Sequence, residues 1–313
     1  MARPALSASR TMDILDLFAA FPTRSFTMSE IMRATGINVA SCHAVLSVLT
    51  NRGYLARNEK SYSLGMALIS LGEAAAQTQT LVARAKEAAQ VLNKDLGVPV
   101  MLAALAGDDI LTLASLPDVG GRFVGPWVGQ RMPLAPPVGL QFLAWASDEV
   151  IAAWIGRGAT DDEATVSEWR RSLARVRDRG YLVTLNVHAA TGAATDFSRL
   201  MQMMAAGTQP LEYKAQTSGL ISDYGWILEH PETIDSKTLY DVGYIAVPVF
   251  NPEGQAVLSL GLVNIAGKTS GEQIGLFAAK LMETCLRITQ EERRSRPQAE
   301  SRQKPAQTPA LLR

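Results

Sequence analysis

Thr27-Met-Ser-Glu-Ile-Met-Arg-Ala-Thr-Gly36, then Val39-Ala-Ser-Cys-His-Ala-Val-Leu-Ser-Val-Leu-Thr-Asn51, then Arg52-Gly-Tyr-Leu55, decide how this chain is read. Thr27 and Glu30 have the spacing of a capping box, in which a hydroxyl accepts from the backbone and a carboxylate reaches back. Behind them Met28, Ile31 and Met32 share one face of a short helix that stops at Gly36. A second helix is predicted over Val39–Asn51, with Cys42, Val45, Leu46 and Leu49 as its apolar stripe. Gly53 ends it, in the left-handed conformation that a Cβ disfavours. Upstream, residues 9–21 predict a first helix capped by Ser9, with Met12, Leu15, Phe18 and Ala19 inward and Pro22 as its stop. Downstream, 54–57 and 61–64 read as strands around the polar turn Asn58-Glu-Lys60. Three short helices and a hairpin have the geometry of a winged helix-turn-helix. A small helical bundle with a hairpin shares the pattern.

The rest of the chain reads as a larger α/β unit. Residues 66–95 are helical, Ala-rich and free of proline. Strands are expected at 98–106, 110–116 and 121–125, a loop at Pro133–Pro137, and helices at 138–146, 148–157 and 163–179. Tyr181–Val187 reads as a strand, and 241–250 with 255–264 as a buried hairpin around Asn251-Pro-Glu-Gly254. A last helix over about 270–290 runs into a polar, basic tail expected to be disordered. The domain reading is therefore 1–65, winged helix-turn-helix; 66–80, linker helix; 81–290, α/β domain; and 291–313, tail.

Charge is uneven although the formal net charge of the 313 residues is zero. Residues 1–65 carry seven Lys/Arg against four Asp/Glu, 66–285 carry 16 against 23, and 286–313 carry seven against three. A basic front on an acidic body fits a small polyanion-binding module joined to something else. No apolar run reaches the roughly 20 residues a membrane helix needs, and the first ten residues lack a secretory h-region. Cys42 and Cys285 are far apart and read as reduced, buried thiols of a cytoplasmic protein. The three histidines, His43, His188 and His230, sit in no nucleophile-elbow or metal-binding pattern. Asp161-Asp162-Glu163 reads as an acidic helix start, so neither catalysis, a metal nor a cofactor is expected.

Three stretches resemble the IclR family of bacterial regulators. They are Ser29–Gly36 with the helix and Arg52–Leu55 and Tyr62–Gly65 behind it; Gly129-Gln-Arg-Met-Pro-Leu134; and Val242-Gly-Tyr-Ile-Ala-Val-Pro-Val249, continuing through Glu253-Gly254 into 256–263. The resemblance spans the chain to about residue 290. It implies a GAF-like α/β effector-binding domain behind the winged helix, homodimers that often pair into tetramers, and small organic effectors. The chain also departs from the family pattern. Val39, Ala40 and Ala44 stand on the recognition helix where basic or polar residues are usual. Gln141 stands for a common Lys, Tyr244 for a frequent Cys, and Gly261 and Val263 for frequent Ser. A segment at 192–238, including Leu200-Met-Gln-Met-Met204, is inserted.

From this reading the duplex-DNA contacts are Asn38, Ser41, His43 and Ser47 on the recognition helix, Arg52 at its end, and Arg57 and Lys60 on the wing. The resemblance puts the effector site between the 129–145 loop-helix and strands 242–263. Its expected lining is Phe123, Trp127, Leu134, Pro137, Gly139, Gln141, Phe142, Tyr244, Gly261 and Val263. Such a wall is apolar and aromatic, suited to a hydrophobic or aromatic ligand rather than a dicarboxylate. The sparse base-reading surface supports a second reading, a sensor or scaffold that has lost sequence-specific DNA binding.

Overall fold

The computed structural model describes residues 5–118, 120, 126, 128–158, 160, 162–186 and 228–302. Helix α1 spans Leu6–Ala20, α2 Met28–Thr35 and α3 Val39–Asn51. The capping box forms as its spacing predicts: Thr27 Oγ1 accepts from Glu30 N, and Thr27 N donates to Glu30 Oε2. Gly36 closes α2 with φ 67°. Strands β2 (Leu55–Asn58) and β3 (Ser61–Leu64) form the wing, and β1 (Phe26–Thr27) adds a third strand beside β3. Ile14, Leu17, Phe18, Phe26, Ile31, Cys42, Leu46, Leu49 and Leu55 make one core for this unit.

One expectation shifts here. Helix α1 begins at Leu6, so Ser9 lies inside it, and the buried stripe is Ile14, Leu17 and Phe18 while Met12 faces solvent. Phe18 is buried as the expected stripe has it and Leu15 packs half-buried on the core, while Ile14 and Leu17 take the inward place expected of Met12.

Helices α4 (Ala67–Thr78) and α5 (Thr80–Leu96) follow, separated at Gln79. The second sheet contains β4 (Val100–Ala106), β5 (Asp109–Leu116), β6 (Arg131–Pro133), β7 (Leu182–Asn186), β8 (Leu228–Glu229), β9 (Leu239–Phe250) and β10 (Ala256–Val263). Their order is β6-β5-β4-β10-β9-β7-β8, every pairing antiparallel, with β11 (Lys268–Ser270) beside the start of β9. Alternation along the strands sends residues to two faces. Leu258, Leu260, Leu262, Ile245 and Val247 pack under α5 and a final helix α9 (Gly271–Arg302). Ala103, Leu182 and Ala246 face the other way, under α6 (Leu140–Leu143), α7 (Asp148–Ile155) and α8 (Glu163–Arg179).

Helix α9 continues beyond 290, against the expected disorder of 291–302. Arg84 on α5 bridges to Glu292 and donates to Ser295 Oγ, which anchors that end of the helix. The strand expected at 121–125 lies outside the described residues, as does 192–227 of the inserted segment with Leu200–Met204. No helix among the described residues is long and apolar enough to cross a membrane.

Candidate functional site

The exposed side of α3 is set by what its other side buries. Cys42, Leu46 and Leu49 go inward, which turns His43, Ala44, Ser47 and Asn51 to solvent with Val39 and Val48, 57% and 54% exposed. Apolar side chains left this open are not needed by the core. Arg52, Arg57 and Lys60 are also exposed. Arg57 is partly held, its Nε donating to Glu59 O at 3.2 Å and its guanidinium 5.7 Å from the Tyr62 ring centre.

Two of the expected base readers are engaged within the protein. Asn38 is the N-cap of α3, its Oδ1 accepting from Ser41 N at 2.9 Å. Ser41 Oγ accepts from Arg10 Nη1 at 2.8 Å. Sequence reasoning missed Arg10. Its signal was the phase of α1: Arg10 is four residues before Ile14, on the stripe that turns toward α3.

The second set of residues meets on the sheet face under α6. Phe123 and Trp127 lie outside the described residues. Leu134, Gln141, Phe142 and Val263 are buried, and Pro137 is half-buried. Gly139 has φ 100°, and a Cβ there would collide with Leu134 Cδ1. Leu134 and Phe142 both belong to the core on this side. Gly261 lies beneath the ring of Tyr244, and a Cβ on it would stand 2.7 Å from the Tyr244 Oη. The missing side chain at Gly261 is therefore space that Tyr244 itself uses. Burial raises the Tyr244 phenol above its ordinary range, with the Ser259 hydroxyl nearby offsetting a little.

Burial raises the Cys42 thiol and pushes Cys285 up to about 12, so neither is a thiolate nucleophile near neutral pH. His230 drops to about 4, chiefly through burial. Among the described residues no group of His, Cys, Asp and Glu is placed to hold a metal ion.

The two halves touch. Arg131 on β6 reaches Asp16 on α1 and Asp109 on β5, each at 3.6 Å. Gly129, just before β6, sits with the Ala19 carbonyl 3.7 Å from where its Cβ would be.

Residues 7–59 match the IclR helix-turn-helix domain. The chain is 21% identical over 282 residues to the HTH-type transcriptional regulator KipR of Bacillus subtilis, covering 90% of this chain and 94% of that protein. The fold is similar to the crystal structure of an IclR-type transcriptional regulator from Alicyclobacillus acidocaldarius, with TM-score 0.66 and 22% identity over 93% of this chain and 100% of that one. It is also similar to an IclR homolog from Microbacterium hydrocarbonoxydans complexed with 4-hydroxybenzoate, with TM-score 0.60 and 20% identity over 92% and 99%.

Proposed function

We propose that this chain, which belongs to the IclR family of transcriptional regulators, is a cytoplasmic, homodimeric regulator that binds an operator through α3 and answers to a hydrophobic or aromatic small molecule. The exposed face of α3 is the observation that carries the DNA reading: an N-capped helix presents His43, Ser47, Val39 and Val48 while Arg52, Arg57 and Lys60 flank it. His43 and Ser47 supply hydrogen bonds to base edges, the valines contact methyl groups, and the cations contact phosphates. Arg10 and Asn38 act behind them by fixing Ser41 and the start of the helix. Pairing two such modules on two half-sites adds the affinity that one lacks.

For the ligand, the support is the apolar surround of Tyr244, Phe142 and Val263, together with a fold neighbour that holds 4-hydroxybenzoate. No constellation among the described residues supports an enzyme.

Selection of genomic fragments by the purified full-length protein tests the DNA reading. An enriched two-half-site motif is expected. Arg57→Ala with Lys60→Ala should weaken binding to all sequences and reduce the salt slope by about two ion equivalents. His43→Ala should change which bases are preferred. A pool without any motif at low salt would favour the sensor or scaffold reading instead.

A further inference from the structure

Helix α3 carries no lysine, arginine, aspartate or glutamate. Its buried side, Cys42, Leu46 and Leu49, fixes which residues look outward. At about 100° per residue the outward set sweeps roughly half the helix circumference. Four of its members end in methyl groups: Val39, Ala40, Ala44 and Val48. The others are His43, Ser47 and Asn51. Arg10, Arg52, Arg57 and Lys60 lie off this face. Arg10 is tied to Ser41 Oγ at 2.8 Å, on the half-buried border. Arg52 is the C-cap, past the last helical residue, and Arg57 and Lys60 belong to the wing and its turn.

In the major groove each base pair shows its own pattern of donors, acceptors and methyl groups. Guanine is read most often by a guanidinium or ammonium that donates to O6 and N7 together. Helix α3 holds no such group. Thymine shows a 5-methyl group, and adenine an N6 donor beside an N7 acceptor. Valine and alanine bury themselves against that methyl, and the amide of Asn51 both donates and accepts as adenine requires. The same methyl-rich wall against a G·C pair would strip water from O6, N7 and N4 and put nothing in its place. The helix therefore favours A·T pairs, and the phosphates are left to the cations around its rim.

We propose that α3 reads an operator half-site with a core of A·T pairs, chiefly through thymine 5-methyl groups packed on Val39, Ala40, Ala44 and Val48. This rests on the DNA reading above and gives it a base preference. Recognition of this kind is apolar, so it does not weaken with salt as the phosphate contacts do.

The test starts from the half-site that genomic selection enriches with the full-length protein. Each thymine is replaced in turn by deoxyuracil, which lacks only the 5-methyl group, and binding is read by fluorescence anisotropy at two salt concentrations. At two or more positions the loss should be about fourfold, the worth of one buried methyl group, and equal at both salts. Val39→Ser and Val48→Ser should each abolish the deoxyuracil penalty at one position and leave it at the others. Both valines are more than half exposed, so neither variant should change melting temperature or mass. A motif whose thymines all tolerate deoxyuracil overturns the methyl reading while DNA binding stands. So does a core in which 7-deazaguanine, which lacks the N7 acceptor, costs more than deoxyuracil. If no motif is enriched, the operator reading and this proposal fall together. A lower mass by light scattering for either variant gives the valines to a protein contact, and that also overturns it.

Discussion

Both ring nitrogens of His230 are shut off from solvent, and the Val183 backbone beside the ring only partly offsets the cost of charging it there. The His230 backbone carbonyl accepts from Arg175, and Arg179 donates to the carbonyls of Pro231 and Glu232, so the strap is clamped in place. Burial, with Arg175 adding to it, lowers the ring from 6.5 to about 4. The unfolded chain therefore takes up a proton below about pH 6.5 that the folded one refuses until about pH 4. Stability contributed by the neutral ring is complete above 6.5 and is lost as pH falls through that window, on the order of 3 kcal/mol. His230→Leu should flatten the melting temperature between pH 7 and 4.5. An unchanged slope in that variant would assign the acid sensitivity to other groups. Neither this strap nor the link from Arg10 to Ser41 was legible beforehand. The first depends on α8 meeting a segment 55 residues later, and the second on the phase of α1, which the Met12 stripe misread. Asn38 was legible as a polar residue at the start of α3, and its Oδ1 caps that helix.

Helices α2 and α3 and the wing were readable because their signals are local: a capping box, αL glycines and a two-strand turn each act within four residues. The end of α9 was not, because its order comes from Arg84 across the domain. Helix α4 adds a different lesson. Its Ala-rich sequence reads simply as helix, yet Ile69 and Leu71 are each 55% exposed and Met66, just before it, 78%. Met66 and Ile69, three residues apart, share a face that fits burial against a second copy of α4. Light scattering should give twice the 33.7 kDa chain mass at micromolar concentration, and Ile69→Glu with Leu71→Glu should halve it. A monomeric wild type would refute the homodimer.

Across the whole molecule, Arg131 couples the two units, since β6 leads directly into Leu134 and the loop before α6. Arg131 and Asp16 are 39% and 47% exposed, so their bond is worth at most about 1 kcal/mol, or roughly fivefold in an equilibrium. Asp16→Ala and Arg131→Ala should each shift operator affinity two- to fivefold in the same direction, and the double variant no further. Additive shifts, or none, would show that this contact carries no signal. The strand order has its own consequence for how the protein is made. Strand β4 ends at Ala106, but its inner neighbour β10 begins only at Ala256. On the ribosome the DNA-reading unit is finished while β4 and β5 wait as a lone hairpin, a state of marginal stability. Any nascent chain that stalls, or any premature stop codon, between residues 65 and 256 leaves the helix-turn-helix unit on a body that cannot close its sheet. Such fragments would compete for the same DNA without answering to any ligand.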